Sequence, residues 1–207
     1  LEKENMVDNI NLEGFETIGD GIFIYKNFLS NEVANNLYNI ALSRTNWQNS
    51  SQYGRAPSLT GEDGELKFLY EKMSTCFNTN ATLDDYWYFQ KYEVGQLMSA
   101  HQDNNKVLKH IEKAKTYVEG MEYKRIRQPL FGIVLYLNTP EKGGELIYTE
   151  QNITYTPSPG DLIVHEADKK CTHMSAEVTK GIKIVVPSYA YQIIKVPIDK
   201  PINKLHI

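Results

Sequence analysis

YWYFQKY (86–92), PLFGIVLYL (129–137), ELIYT (145–149), ITYT (153–156), DLIV (161–164) and IKIVVPSYAYQII (182–194) are short runs rich in β-branched and aromatic residues, the composition of strands that pack on a pleated surface. Turn formers separate them, as in TPEKGG (139–144) and TPSPG (156–160). Short strands joined by short turns predict a sandwich or jelly roll. Upstream the period changes. SNEVANNLYNIAL (30–42) places Val33, Leu37, Ile40 and Ala41 on one helical face behind a Ser30 cap. Leu66, Leu69, Tyr70, Met73 and Phe77 repeat that spacing, and Gly21 to Tyr25 reads as a short strand. The expectation is an α+β chain, one domain over 1–207, with a mainly helical support (1–84), a β core (85–195) and a tail (196–207). One more helix is expected inside the β region, because Val107, Ile111, Ala114 and Val118 recur at helical spacing before Gly120.

With 41% hydrophobic and 23% charged residues in 207, the chain has the material for a packed core. No apolar run reaches the roughly 18 residues that cross a bilayer, and the longest, Leu130 to Leu137, is strand-sized. An integral membrane protein is not expected. The start, LEKENMVDNI, has no basic segment leading into an apolar one, and two cysteines, Cys76 and Cys171, suit free thiols in a reducing compartment, so a cytoplasmic location is expected. The net charge of -4 argues against general polyanion binding, and no nucleic-acid partner is expected. Charge is uneven, however. Between Asn104 and Gln128 seven Lys or Arg face three Glu, about +4, which leaves about -8 elsewhere. That segment could fold over a site mouth and favour an acidic peptide, or merely solvate a helix face.

His101-Gln102-Asp103 closes a strand-like run. Side chains alternate along a strand, so an imidazole and a carboxylate two apart share a face and can serve one ion. His173, among the last strands, is the natural third ligand. Two His and one carboxylate leave open positions, the set used for non-haem Fe(II) oxygen chemistry; zinc in a hydrolytic site could use the same donors. A solvated turn His beside an Asp is the bland alternative. Lys183 follows His173 by ten residues, across the turn-prone Thr179-Lys180-Gly181. If that turn makes a hairpin, Lys183 falls about four residues, roughly 13 Å, along the strand from His173. A small diacid bound to the ion at one end could then meet the lysine at the other.

KYEVGQLMSAHQDN (91–104), LYLNTPEKGGELIY (135–148) and TPSPGDLIVHEADKKCTHMSAEVTKGIK (156–183) together resemble the prolyl 4-hydroxylase type of 2-oxoglutarate- and Fe(II)-dependent dioxygenases. The resemblance spans about Asp85 to Tyr191 and rests on HxD, YLN followed by GGEL, PxxGD, and His with Lys ten positions on. It implies a double-stranded β-helix (jelly-roll) core, with His101, Asp103 and His173 as iron ligands and Lys183 pairing with the distal carboxylate of 2-oxoglutarate. It implies that the phenols of Tyr92 and Tyr136 hydrogen-bond the cosubstrate. A lysine at 183 looks more like the collagen-type prolyl hydroxylases than the arginine-bearing oxygen sensors. The cofactors implied are Fe(II), 2-oxoglutarate and O2, with ascorbate as a further candidate, and the implied partner is a proline-containing peptide or protein. Rival readings are an oxygenase of nucleobases or free amino acids, and a non-catalytic metal-binding jelly-roll module.

Three positions depart from the family pattern. Tyr189 stands for a common Trp, Pro129 for a frequent Arg, and His165 for the usual aromatic residue. His165 with Glu166 could be a rival ligand pair, or His165 a buried, satisfied side chain. Cys171, two before His173, is assigned a structural role, since a thiolate would suit zinc better.

Overall fold

The computed structural model describes residues 10–49, 54–58, 64–77, 81–84, 87–104, 111–118 and 121–197. Strands β1 (Glu16–Gly19) and β2 (Ile22–Tyr25) precede helix α1 (Asn31–Leu42); β3 (Gln48–Asn49) and β4 (Gly54–Ser58) separate it from α2 (Lys67–Ser74). Then come β5 (Thr82–Leu83), β6 (Trp87–Tyr92), β7 (Met98–His101), β8 (Ile111–Val118), β9 (Met121–Tyr136) and β10 (Lys142–Gly143). The last strands are β11 (Leu146–Tyr148), β12 (Ile153–Tyr155), β13 (Leu162–Glu166), β14 (His173–Ser175), β15 (Val178–Lys180) and β16 (Lys183–Pro197). Ten strands make a major sheet, β1-β2-β13-β9-β16-β6-β4-β3, with β5 added to β16 and β8 to β9. Four make a minor sheet, β12-β11-β14-β7, and β10 pairs with β15 in a separate ribbon. The pairings are antiparallel.

Alternation along the central strands sorts side chains into two cores. Phe131, Ile133 and Leu135 of β9, Leu162 and Val164 of β13, and Ile184 and Val186 of β16 cluster with Leu37, Ala41, Leu66, Leu69 and Met73 of the helical region. The opposite faces of the same strands supply Tyr136, Ile163 and Val185, which cluster with Leu146 and Tyr148 of the minor sheet. The layers are therefore helices, major sheet, minor sheet. A strand buried on both faces reads as a continuous apolar run, which is why β13, LIVHE, is buried at all five positions.

The helices form where the periodicity places them. Ser30 Oγ accepts the Val33 N–H at 3.3 Å, capping α1, which buries Ala34, Leu37 and Ala41. In α2, Leu69 and Met73 are fully buried; removing one such side chain from water contributes about 1.5–3 kcal/mol.

Two expectations are corrected. The span 1–84 is not mainly helical: among its described residues two helices share it with five strands, and β2 pairs with β13 inside the major sheet. The helix expected across 107–118 is absent from the described part of that segment, where residues 111–118 form β8, with Ile111 level with Ile126 and Val118 level with Met121. Val107 lies outside the described residues. Pairing with the long β9 outweighs the weak preference of an isolated helix, so the described part of the basic segment extends a sheet.

Leu69→Ala removes three carbons' worth of helix-to-sheet packing from a fully buried position. It is expected to lower unfolding stability by about 2–5 kcal/mol, read as a reduced midpoint in urea with little change in slope.

Candidate metal centre

Two facing rows of side chains build the site. In the minor sheet His101 of β7 is level with His173 of β14, which is level on its other side with Tyr148 of β11. In the major sheet His165 of β13 is level with Gly132 of β9, and Gly132 with Tyr189 of β16. Level residues on antiparallel neighbours share a face, and both rows meet between the sheets. The His173 ring centre lies 4.4 Å from that of His101 and 4.2 Å from that of His165.

Asp103 joins them from a short 3-10 turn just past β7, where the Asn104 N–H donates to the Ala167 carbonyl at 3.0 Å. Strand alternation was the expected device for bringing His101 and Asp103 together; the strand stops at His101 and the turn does it instead. One donor atom from each of His101, Asp103 and His173 lies within 4.8 Å of the others. His101 Nε2 is 3.8 Å from Asp103 Oδ1, too far for a hydrogen bond.

The imidazoles are oriented by the backbone. His101 Nδ1 is 2.8 Å from the Ser99 carbonyl and His173 Nδ1 3.0 Å from the Cys171 carbonyl. A carbonyl only accepts, so each Nδ1 carries the hydrogen and each Nε2 keeps its lone pair, the arrangement of metal-ligating imidazoles. Burial, then His165, pulls His173 down to about 3, with Asp103 opposing, so it is neutral near pH 7. Donor set and tautomers fit a divalent ion that favours nitrogen and oxygen.

Lys183 stands at the other end of the same pocket, 2% exposed. The expected hairpin does not form: β15 pairs with β10, and Lys183 enters from the major sheet, level with Tyr92. Its Nζ donates to Ser175 Oγ at 2.7 Å and to the Gly144 carbonyl at 2.8 Å. Ser175 is two residues from His173 on the same strand, so the spacing is about 7 Å of strand rather than 13. Asn138 fixes the backbone on both sides of the lysine, accepting from the Ile184 N–H at 2.7 Å and donating to the Ile182 carbonyl at 2.5 Å. Tyr92 and Tyr136 line the pocket with ring centres 5.1 and 5.2 Å from Nζ. Gln90 Nε2 donates to the Tyr92 hydroxyl at 2.7 Å, and burial holds the Tyr136 phenol well above its ordinary 10.

Two sequence alternatives are settled by the faces of β13. His165 and Glu166 point to opposite sides: Glu166 pairs with Lys170 at 2.9 Å, and His165 Nε2 lies 3.0 Å from Asp103 Oδ2. They are not a ligand pair. Burial raises the Cys171 thiol to about 12, and its Sγ donates to the Asp20 and Gly21 carbonyls. Gly132, Tyr148 and Ser175 were not singled out from sequence. A lone glycine inside an apolar strand signals a close approach, and Ser175 shares the His173 face by alternation, but one tyrosine among fourteen carries no such signal.

No protein-family model matches the chain, and no curated sequence does. Solved structures do. The viral collagen prolyl hydroxylase of Paramecium Bursaria Chlorella virus-1, as a 2-oxoglutarate complex, aligns at 18% identity and TM-score 0.60 over 84% of this chain and 97% of that one. HygX from Streptomyces hygroscopicus, with nickel and 2-oxoglutarate bound, aligns at 13% and 0.56 over 87% and 84%. A Trichoplax adhaerens prolyl hydroxylase, in complex with a hypoxia inducible factor oxygen degradation domain peptide fragment, aligns at 16% and 0.56 over 83% and 84%. The chain therefore has the fold of prolyl 4-hydroxylase-type 2-oxoglutarate oxygenases.

Burial pulls the Lys183 ammonium down from 10.5 to about 7, with Glu145 opposing. Between those pH values the unfolded chain holds a proton that the native protein does not, so native stability rises with pH there. Compared with Lys183→Met, the wild type is expected to gain up to about 1.4 kcal/mol per pH unit from pH 7 to 10, measured by urea titration at each pH.

Proposed function

We propose that the protein is a 2-oxoglutarate- and Fe(II)-dependent dioxygenase that hydroxylates prolyl residues in a peptide or protein. The observation that carries this reading is the pairing, in one pocket, of a His101/Asp103/His173 donor cluster with the buried Lys183 ammonium, linked through a single strand by His173 and Ser175. The fold likeness supports it, and with it the finer description of the core as a double-stranded β-helix serving one catalytic domain.

In this reading His101 Nε2, His173 Nε2 and a carboxylate oxygen of Asp103 hold the iron. The bound iron supplies oxidative chemistry in which 2-oxoglutarate and O2 become succinate and carbon dioxide while one oxygen atom enters a substrate C–H bond. Lys183 binds the distal carboxylate. Two of its three N–H groups are used by Ser175 and Gly144, so one remains for the diacid. A carboxylate there restores the charge that burial disfavours, and a charge-assisted hydrogen bond in a buried pocket is worth about 1.5–3 kcal/mol. Tyr92 and Tyr136 orient the same molecule. Burial of all three side chains keeps water from the reacting centre.

The prolyl preference draws on the aromatic side chains of Tyr88 and Tyr189, which line the pocket together with Pro187. Aromatic-lined grooves suit the extended polyproline conformation. The lysine at 183, in the collagen-type manner, favours the same substrate.

Succinate formation from 2-oxoglutarate under aerobic Fe(II) tests cosubstrate and metal. Lys183→Ala is expected to raise the 2-oxoglutarate KM by roughly ten- to a hundredfold, and His173→Ala to abolish turnover. Mass spectrometry of proline-rich peptides tests the substrate: a gain of about 16 Da on proline is expected, the mass of the one oxygen atom inserted. Succinate without that gain would remove prolyl hydroxylation and keep the oxygenase.

A further inference from the structure

His165 occupies the position where the family pattern has an aromatic side chain, and its surroundings in this chain are polar. Its Nε2 lies 3.0 Å from Asp103 Oδ2 and its Nδ1 3.0 Å from the Tyr148 hydroxyl. All three groups are buried, with 1% of His165, 3% of Asp103 and none of Tyr148 exposed. A carboxylate accepts, so Nε2 carries a hydrogen, which leaves Nδ1 to accept from the phenol. Burial keeps the Tyr148 phenol protonated. Hydrogens therefore run one way, from Tyr148 to His165 to Asp103.

Gly132 bears on the same contact independently. A Cβ at this position would meet Asp103 Oδ2 and His165 Nε2, so any side chain there would occupy the space of their hydrogen bond. The strand of the major sheet is left bare where the two groups join.

We propose that His165 is a positioning residue for the metal centre: its Nε2–H holds Oδ2 of Asp103, so that Oδ1 alone is presented beside His101 and His173, and Tyr148 fixes the tautomer that does this. The inference rests on the reading of His101, Asp103 and His173 as a metal site, and it adds a group outside the ligand set that sets how the carboxylate binds. Outer hydrogen bonds of this kind typically tune metal affinity ten- to a hundredfold.

The test uses Co(II) alone, with affinity from calorimetry and geometry from its visible absorption bands. One Co(II) per wild-type chain is expected, lost in His101→Ala. His165→Phe keeps the ring volume and removes the donor; it is expected to weaken Co(II) binding roughly ten- to a hundredfold and to shift the absorption bands as the freed carboxylate changes its mode. His165→Gln retains an N–H donor and is expected to recover most of the affinity and the wild-type bands. Tyr148→Phe, which deletes one oxygen atom, is expected to fall between the two. Wild-type affinity and bands in His165→Phe would overturn the proposal, as would a loss that Gln does not recover in a variant with an unaltered thermal melt. Should His165→Phe fail to fold, Tyr148→Phe decides: unaltered affinity and bands overturn the proposal. A wild type that takes up no Co(II), or a His101→Ala that takes up as much, overturns the metal reading and this inference with it.

Discussion

A carboxylate with 3% of its surface exposed needs partners, since an isolated buried charge costs several kcal/mol. Asp103 meets that requirement on the major sheet, through His165, before any ligand is considered. The contact can form because β9 carries no side chain at 132, and it is oriented because Tyr148 reaches across from the minor sheet to the far nitrogen of the imidazole. Three strands and one turn thus converge on a single acidic group. The two candidate ligand imidazoles are tied down separately, each by a carbonyl two residues earlier in its own strand or turn, so the backbone orients both donors.

The motif segments that carry the family resemblance acquire distinct physical roles. Asn138 of YLN grips the backbone on either side of Lys183. Gly144 of GGEL offers the ammonium its carbonyl, and a Cβ there would meet the Lys183 side chain at 3.2 Å. Asp161 of PxxGD does not line the pocket: its carboxylate accepts from the Tyr155 hydroxyl at 2.8 Å, the Ser158 N–H at 2.9 Å and the Asn27 N–H at 3.2 Å, tying the turn before β13 to the loop before α1. A motif can therefore join residues that face a ligand with residues that only hold strands in register.

The β runs, the two helices and their buried faces were legible because apolar period and capping are local signals. The His101/Asp103/His173 cluster was legible as a candidate because few residue types supply such donors. The 111–118 segment misled because Ile111, Ala114 and Val118 do fit a helix, while the strand partner that overrides them, Met121–Ile126, is visible only in three dimensions. The Lys183 hairpin misled for a related reason: turn residues at 179–181 are present, yet β15 pairs with β10 and not with β16. His165 and Glu166 were ambiguous in sequence because adjacency along a strand says nothing about which of two opposite faces belongs to a site until the sheet is assembled.

The bare position at 132 makes the residue allowed at one place depend on the residue held at another. A histidine at 165 arriving in a chain with any larger residue at 132 would find its acceptor blocked, and a larger residue arriving at 132 after it would evict the acceptor. The histidine is tolerable only in the company of the glycine. Divergence at these two positions, thirty-three apart along the chain but level across a sheet, should therefore proceed in coupled steps.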